Sequence, residues 1–185
     1  HMPLQSGSNK LLKTMRRRYD RSHYRNKVNL IKSLNPSACI GADVIVGFPG
    51  ETDDDFLDTY NFIRDLDLAY LHVFSYSERD NTDAKSYQNP VSKTKRSERS
   101  RILRNLSDEK RHLFQEQYIN STREVLFESM KSGYSIGYSD NYIQVKVPQS
   151  PELINSIHTV NFKKEEGGVV LSLIHISEPT RPSVI

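Results

Sequence analysis

The sequence predicts an α/β fold of parallel strands followed by a smaller all-β unit, and three observations predict it. Two apolar runs, residues 39–46 and 69–76, read as strands, the first as one covered on both faces. Segments with helical spacing precede, separate and follow them, the order of a parallel α/β domain. After about residue 119 the helical period gives way to short runs punctuated by Gly, Pro, Asn and Asp, which suits a small β-barrel.

Element by element, residues 2–5 read as the end of a short strand. Ser8 is placed to cap a helix carrying Leu11, Leu12, Met15 and Tyr19. A second helix starts near Asp20 or Ser22, presents Tyr24, Val28, Ile31 and Leu34, and stops at Asn35-Pro36. Thr52 followed by Asp53, Asp54 and Asp55 combines a cap with carboxylates at the positive end of the helix dipole. That helix buries Phe56, Tyr60, Ile63 and Leu66. Beyond a loop at 77–91, Ser92 or Ser97 opens a long polar helix to about residue 117, with Ile102, Leu103, Leu106, Leu113 and Phe114 as its stripe. Strands are expected at 123–128, 142–147, 157–162 and 169–171, with Gly133 and Gly137 as turn signals. The domains so read are 1–118 and 119–170. Residues 171–185 break the pattern, resemble a translated sequencing adapter, and read as a non-native tail.

Composition excludes several classes. No apolar run approaches the roughly 20 residues of a membrane helix. The single cysteine, Cys39, excludes a disulfide framework, suits a reducing cytoplasm, and cannot by itself hold an iron–sulfur cluster. It reads as a buried strand thiol. The six histidines show no metal-ligand spacing, and His72 reads as a core or rim residue inside a strand, so no metal ligand is assigned. Charge is segregated. Residues 1–35 carry nine Lys/Arg against Asp20 alone, whereas residues 40–70 carry eight Asp/Glu against Arg64 alone. Basic segments of this kind attract polyanions such as RNA, and they also occur as solvated helix faces.

Chemistry in parallel α/β folds gathers at the C-terminal strand ends. Three tips are visible: Gln5-Ser6-Gly7-Ser8, Gly47-Phe48-Pro49-Gly50-Glu51, and Ser75-Tyr76-Ser77-Glu78-Arg79. Together they make a polar rim able to hold a nucleoside, with Val46 or Phe74 against a base. The second tip has two readings: a strand end that lets a ligand approach its backbone, or a plain βα turn.

The ordered set "HMPLQSGSNKLLKTMRRRY" (1–19), "GADVIVGFPGETDDDFLDTYNF" (41–62) and "YLHVFSYSERDNTDA" (70–84) resembles the C-terminal part of radical S-adenosylmethionine methylthiotransferases. "LHVFSYSER" and "GYSDNYIQVKV" (137–147) resemble the branch acting on N6-threonylcarbamoyladenosine in tRNA. Sister branches act on N6-isopentenyladenosine in tRNA or on an aspartate of a ribosomal protein. An RNA-binding module without catalysis is the alternative from another class. The resemblance implies a partial TIM-like radical SAM barrel followed by a TRAM-type RNA-binding β-barrel. It also implies S-adenosyl-L-methionine and 4Fe-4S clusters as cofactors and the tRNA anticodon stem-loop as partner. In such enzymes a radical formed from S-adenosylmethionine takes a hydrogen from C2 of the adenine beside the anticodon, and a sulfur and a methyl group are installed.

The cysteine triplet of that family, and its N-terminal domain, lie upstream of residues that match His1. The resemblance therefore implies a fragment that lacks the cluster ligands and is inactive by itself. On the same basis Gln5, Ser6, Asp43 and Gly47 line the cofactor pocket, Phe74 and Tyr76 complete its adenine side, and Arg17 reaches the cofactor carboxylate or a phosphate. Glu51 falls one position late for the family's strict late-strand motif. Arg16, Arg18, Arg79 and Thr82 are expected near the anticodon loop, and Tyr138, Asn141, Tyr142 and Lys146 on the β-barrel's RNA face, with solvated helix faces and hairpin packing as the plainer roles.

Overall fold

The computed structural model describes residues 1–78, 80, 82–164 and 170–171, and the chain divides into two units, His1–Leu113 and Phe114–Ile185. Among the described residues no helix is long and apolar enough to cross a membrane.

The first unit is built on a parallel sheet of β1 (Met2–Gln5), β2 (Gly41–Val46) and β3 (Tyr70–Ser75), in that order. Alternation decides its two faces. Leu4, Ala42, Val44, Val46 and Leu71 point one way into a core shared with Tyr24, Val28, Phe62, Ile63, Leu103 and Leu106. Asp43, His72 and Phe74 point the other way, and His72 and Phe74 are exposed. β2, expected to be covered on both faces, is only half-buried at Asp43 and Ile45. Helices cover one face, and the other lines the hollow described below.

Local chemistry starts each helix. Ser8 caps α1 (Asn9–Thr14), Asp20 caps α2 (Arg21–Leu34), and Thr52 with Asp55 forms a full capping box on α3 (Asp53–Arg64). The hydroxyl of Ser92 accepts from Lys95 N–H at the start of α4 (Lys93–Glu116). Asp55 is also held by Ser8 and Lys10. Burial opposes its charge, but these donors outweigh that and hold its carboxyl down at about 2.

Three helical expectations and one strand expectation are corrected. α1 ends after one and a half turns because Arg16 takes a left-handed backbone (φ 57°), so Tyr19 leaves the helix and donates to the carbonyls of Pro3 and Leu4 instead. Leu34 and Leu113 lie on solvent faces of their helices. Cys39 is half-buried and precedes β2 rather than lying within it.

The β2–α3 loop is closed from inside. Glu51 is buried, accepts the N–H of Gly47, and pairs with buried Arg99 of α4 at 2.6 Å. Arg99 also reaches Asp53 at 2.7 Å. Burial pushes the Glu51 carboxyl above its ordinary value, and Gly47 and Arg99 pull it back only in part. Gly47 has φ 75°, and a Cβ there would collide with the side chain of Arg96. Its glycine is thus required by the protein's own packing.

In the second unit β4 (Thr122–Lys131), β5 (Tyr134–Ser139), β6 (Gln144–Pro148) and β7 (Ser156–Asn161) pair antiparallel in the order β7-β4-β5-β6. Short β8 (Lys163–Lys164) and β9 (Val170–Leu171) extend it, with β9 parallel to β6. Val125, Phe127, Ile143, Val145, Val147, Val160, Leu153 and Phe162 are among its buried side chains. Strand β5 escaped the sequence reading, which took Gly137 for a turn. Gly137 is a mid-strand residue, and a Cβ there would strike the Leu126 carbonyl and the Val125 side chain. The expected strand start at Tyr142 is a positive-φ turn residue, and Val169 lies outside the described residues.

Removing Arg99 leaves Glu51 buried and unpaired. Arg99→Met is expected to lower unfolding free energy by about 3 kcal/mol at neutral pH. With the folded-state pKa of Glu51 raised further, the loss should shrink as pH falls toward and below 4.5, the ordinary value of this carboxyl. Urea unfolding across pH checks this, and Arg99→Met with Glu51→Gln should recover part of the loss.

Candidate functional site

Parallel pairing brings the C-terminal ends of β1, β2 and β3 side by side. Around them lie two adjoining hollows. The larger, of about 430 Å³, is lined by Gln5, Asp43, Ile45, Phe74, Tyr76 and Thr82 among others. The smaller, of about 260 Å³, shares Ile45, Tyr76 and Ala84 with it and adds Arg16, Arg17, Phe48 and Tyr87.

Gln5 is the strained member. Its φ is 69°, and Ser6 N–H bonds back to the Leu4 carbonyl at 3.0 Å, which closes a three-residue turn around it. Such positive-φ γ-turns are rare and strained outside glycine. The side chain is fixed by Arg17, whose Nη2 donates to Gln5 Oε1 at 3.0 Å. Strain at a strand tip, held by a cation across the hollow, is the kind of feature that accompanies ligand binding.

Tyr76 joins the hollows. Its N–H donates to Val46, its ring meets Phe48 edge-on at 5.4 Å, and the Arg96 guanidinium lies 5.3 Å from its centroid. Its hydroxyl is buried without a hydrogen-bond partner among the described residues. Arg96 bonds the Tyr76 carbonyl and Glu78, and that ion pair holds the Glu78 carboxyl down at about 2. Asp43 stands at the edge of the larger hollow with Oδ1 2.7 Å from His1 Nε2.

Of the residues expected at a cofactor pocket, Gln5, Arg17, Asp43, Phe74 and Tyr76 line these hollows. Ser6 does not. It is fully buried and its hydroxyl meets Thr59 of α3 at 3.1 Å, so it ties β1 to that helix. Gly47 also stays off both linings, because its N–H is taken by Glu51 and Arg96 covers it. Among the residues expected at RNA, Arg16 lines the smaller hollow and pairs with Asp83 at 2.7 Å. Thr82 lines the larger, and Arg18 is exposed. Arg79 lies outside the described residues.

On the second unit Tyr138 and Tyr142 come together, ring centroids 6.4 Å apart, beside a hollow of about 390 Å³. Their neighbours there are Glu124, Glu128, Asp140, Leu126 and Ile157 rather than cations. Lys146 belongs to β6, opposite Ile136. Asn141 is buried and accepts from Ser139, a role within the turn. Ile45, Asp83 and Tyr87 were missed by sequence reading. Ile45 was discoverable from the strand period, whereas the 83–87 segment carries no local signal.

The comparisons follow this geometry. Residues 1–63 match the Radical SAM superfamily. The chain is 37% identical over 169 residues to the threonylcarbamoyladenosine tRNA methylthiotransferase MtaB of Bacillus subtilis, covering 89% of this chain and 38% of that protein. It is 36% identical over 177 residues to the tRNA-2-methylthio-N(6)-dimethylallyladenosine synthase of Sulfurimonas denitrificans, covering 93% of this chain and 40% of that protein. Over most of its length the chain is similar to tRNA methylthiotransferases, and its first third matches the radical SAM superfamily. It spans about two-fifths of the length of these curated relatives.

The similarity to radical SAM methylthiotransferases implies S-adenosylmethionine and iron–sulfur clusters, and the two fare differently here. The hollows suit an adenosyl amino acid in size, in their apolar walls and in their polar edge, and the unpartnered Tyr76 hydroxyl offers a bond to such a ligand. A cluster does not fit this chain's own donors, since Cys39 is its single thiol.

Gln5 supplies a direct check. Gln5→Gly relieves the left-handed backbone and should be about 1 kcal/mol more stable than Gln5→Ala, although both lose the bond to Arg17. Thermal unfolding of the two variants reads this difference. Equal stability would contradict the strain.

Proposed function

We propose that this chain is the cofactor-holding and tRNA-facing part of a methylthiotransferase acting on C2 of N6-threonylcarbamoyladenosine beside the anticodon. The carrying observation is the hollow at three parallel strand tips, where a strained Gln5, Arg17 and an unpartnered Tyr76 hydroxyl converge. In this reading the first unit is part of a TIM-like barrel and the second is a TRAM-type RNA-binding barrel.

S-adenosylmethionine, with a cluster held by cysteines elsewhere in the full protein, supplies the hydrogen-removing and group-transfer chemistry. The residues of this chain bind and orient. Phe74 and Ile45 offer flat and branched apolar surface to a base, and Gln5 and the Tyr76 hydroxyl offer hydrogen bonds at its edge. Arg17 faces a carboxylate with a planar donor fork. Gly47 and Glu51 act indirectly by holding the second tip in shape. Phe48 and Tyr87 add aromatic wall to the smaller hollow. Such positioning is the protein's share of the catalysis.

For tRNA, the basic face of residues 16–18 and the Tyr138–Tyr142 pair divide the work. Arg16 and Arg18 answer phosphates, and the tyrosines stack on unpaired bases. Glu124 and Glu128 make the tyrosine face unfavourable for phosphate, so bases rather than backbone approach it. Lys146 and Arg79 complete the proposed contacts.

Relatives named for dimethylallyladenosine match at nearly the same identity and sustain a second reading. Chemistry separates the two. A threonylcarbamoyl group ends in a carboxylate, which suits the basic rim of Arg16 and Arg17. A dimethylallyl group is hydrocarbon.

Anticodon stem-loops carrying threonylcarbamoyladenosine, dimethylallyladenosine or plain adenosine test both readings by fluorescence titration at several salt concentrations. The first should bind about tenfold tighter than the second, affinity should fall with salt, and Tyr142→Ala should weaken binding about tenfold. Equal affinity for the two modified loops contradicts the choice of substrate. Absence of salt dependence contradicts the tRNA reading itself.

A further inference from the structure

We propose that His1, Asp43 and His72 form a binding site for a divalent transition-metal ion of the zinc type. The three come from adjacent strands. Asp43 stands in register with Pro3 of β1 and with His72 of β3, and His1 directly precedes β1. One nitrogen of each imidazole and one carboxylate oxygen lie within 4.8 Å of one another. Asp43 Oδ1 is 2.7 Å from His1 Nε2 and 3.6 Å from His72 Nδ1.

Ligand atoms about 2.0–2.1 Å from a tetrahedral ion stand roughly 3.3–3.5 Å apart. The Asp43–His72 spacing is already near that value, and rotation of the half-exposed rings adjusts the rest. Two imidazoles and a carboxylate suit Zn²⁺ and its first-row neighbours, and three protein ligands leave a coordination position open.

The cluster is walled as well as grouped. Below it the Tyr70 ring lies across Gly41, where any Cβ would collide with it. That ring stands 5.3 Å from the His72 ring and 6.1 Å from the His1 ring, and the two imidazoles are 4.8 Å apart. Asp43 also lines the 430 Å³ hollow, so a bound ion borders the ligand space. Sequence spacing concealed the site because its ligands lie 42 and 29 residues apart along the chain. The assignment rests on side-chain geometry and is independent of the tRNA reading.

Calorimetric titration of the chain with ZnCl₂, and with Co²⁺ followed by visible absorption, tests it. One ion should bind per chain, with affinity about tenfold or more weaker in Asp43→Asn and in His72→Ala. His23→Ala, on the exposed face of α2, should bind like the parent. His72→Gln provides a second variant that preserves side-chain bulk, and circular dichroism establishes that each variant is folded. An N-terminal histidine chelates metal through its own amine and ring. Binding that survives both Asp43→Asn and His72→Ala therefore overturns the site, as does failure of the parent chain to bind.

Discussion

The candidate site rests on one constraint, the period of two along three parallel strands whose pairing shifts register between Pro3 and Gln5. Leu4, Val44 and Leu71 face the helices because their neighbours Asp43, His72 and Phe74 face away. A one-residue slip of β2 would bury Asp43 in the core and expose Val44, a change the apolar core strongly disfavours. Core packing and site placement are thus a single specification. The same pairing aligns the strand ends, so Gln5 and Tyr76 meet at one hollow although 71 residues separate them.

A second layer of interactions keeps the tips in shape without touching the hollow. Glu51 draws the Gly47 N–H and the Arg99 guanidinium together, and Arg96 packs over Gly47 while bonding the Tyr76 carbonyl. Helix α4 therefore braces both the β2 and the β3 ends. Its basic residues near the N-terminus are largely committed to this brace, which removes Arg96 and Arg99 from any account of the helix as a free cationic surface.

Features with local causes were legible in the sequence. Ser8, Asp20, Thr52 and Ser92 announce their helices because a cap needs only the next three residues. The alternation of Ile143, Val145 and Val147 likewise shows through. Strand tips could be named in advance, which is why Gln5 and Tyr76 were singled out, whereas Asp43 came only from the resemblance to a known family. What stayed hidden depends on partners far along the chain. Ser6 turns inward to Thr59, Gly137 is required by a neighbouring strand, and Glu51 answers Arg99. Of the acidic surroundings of Tyr138 and Tyr142, Glu124 and Glu128 come from β4, so a reading of 137–147 alone could show only Asp140.

Amide hydrogen exchange with and without saturating S-adenosylmethionine tests the convergence of the three tips most directly. The account predicts slowed exchange in three separate segments, around residues 4–8, 45–50 and 74–78, with β4 to β7 unchanged. Slowing confined to one of those segments, or located on the antiparallel sheet, would contradict it.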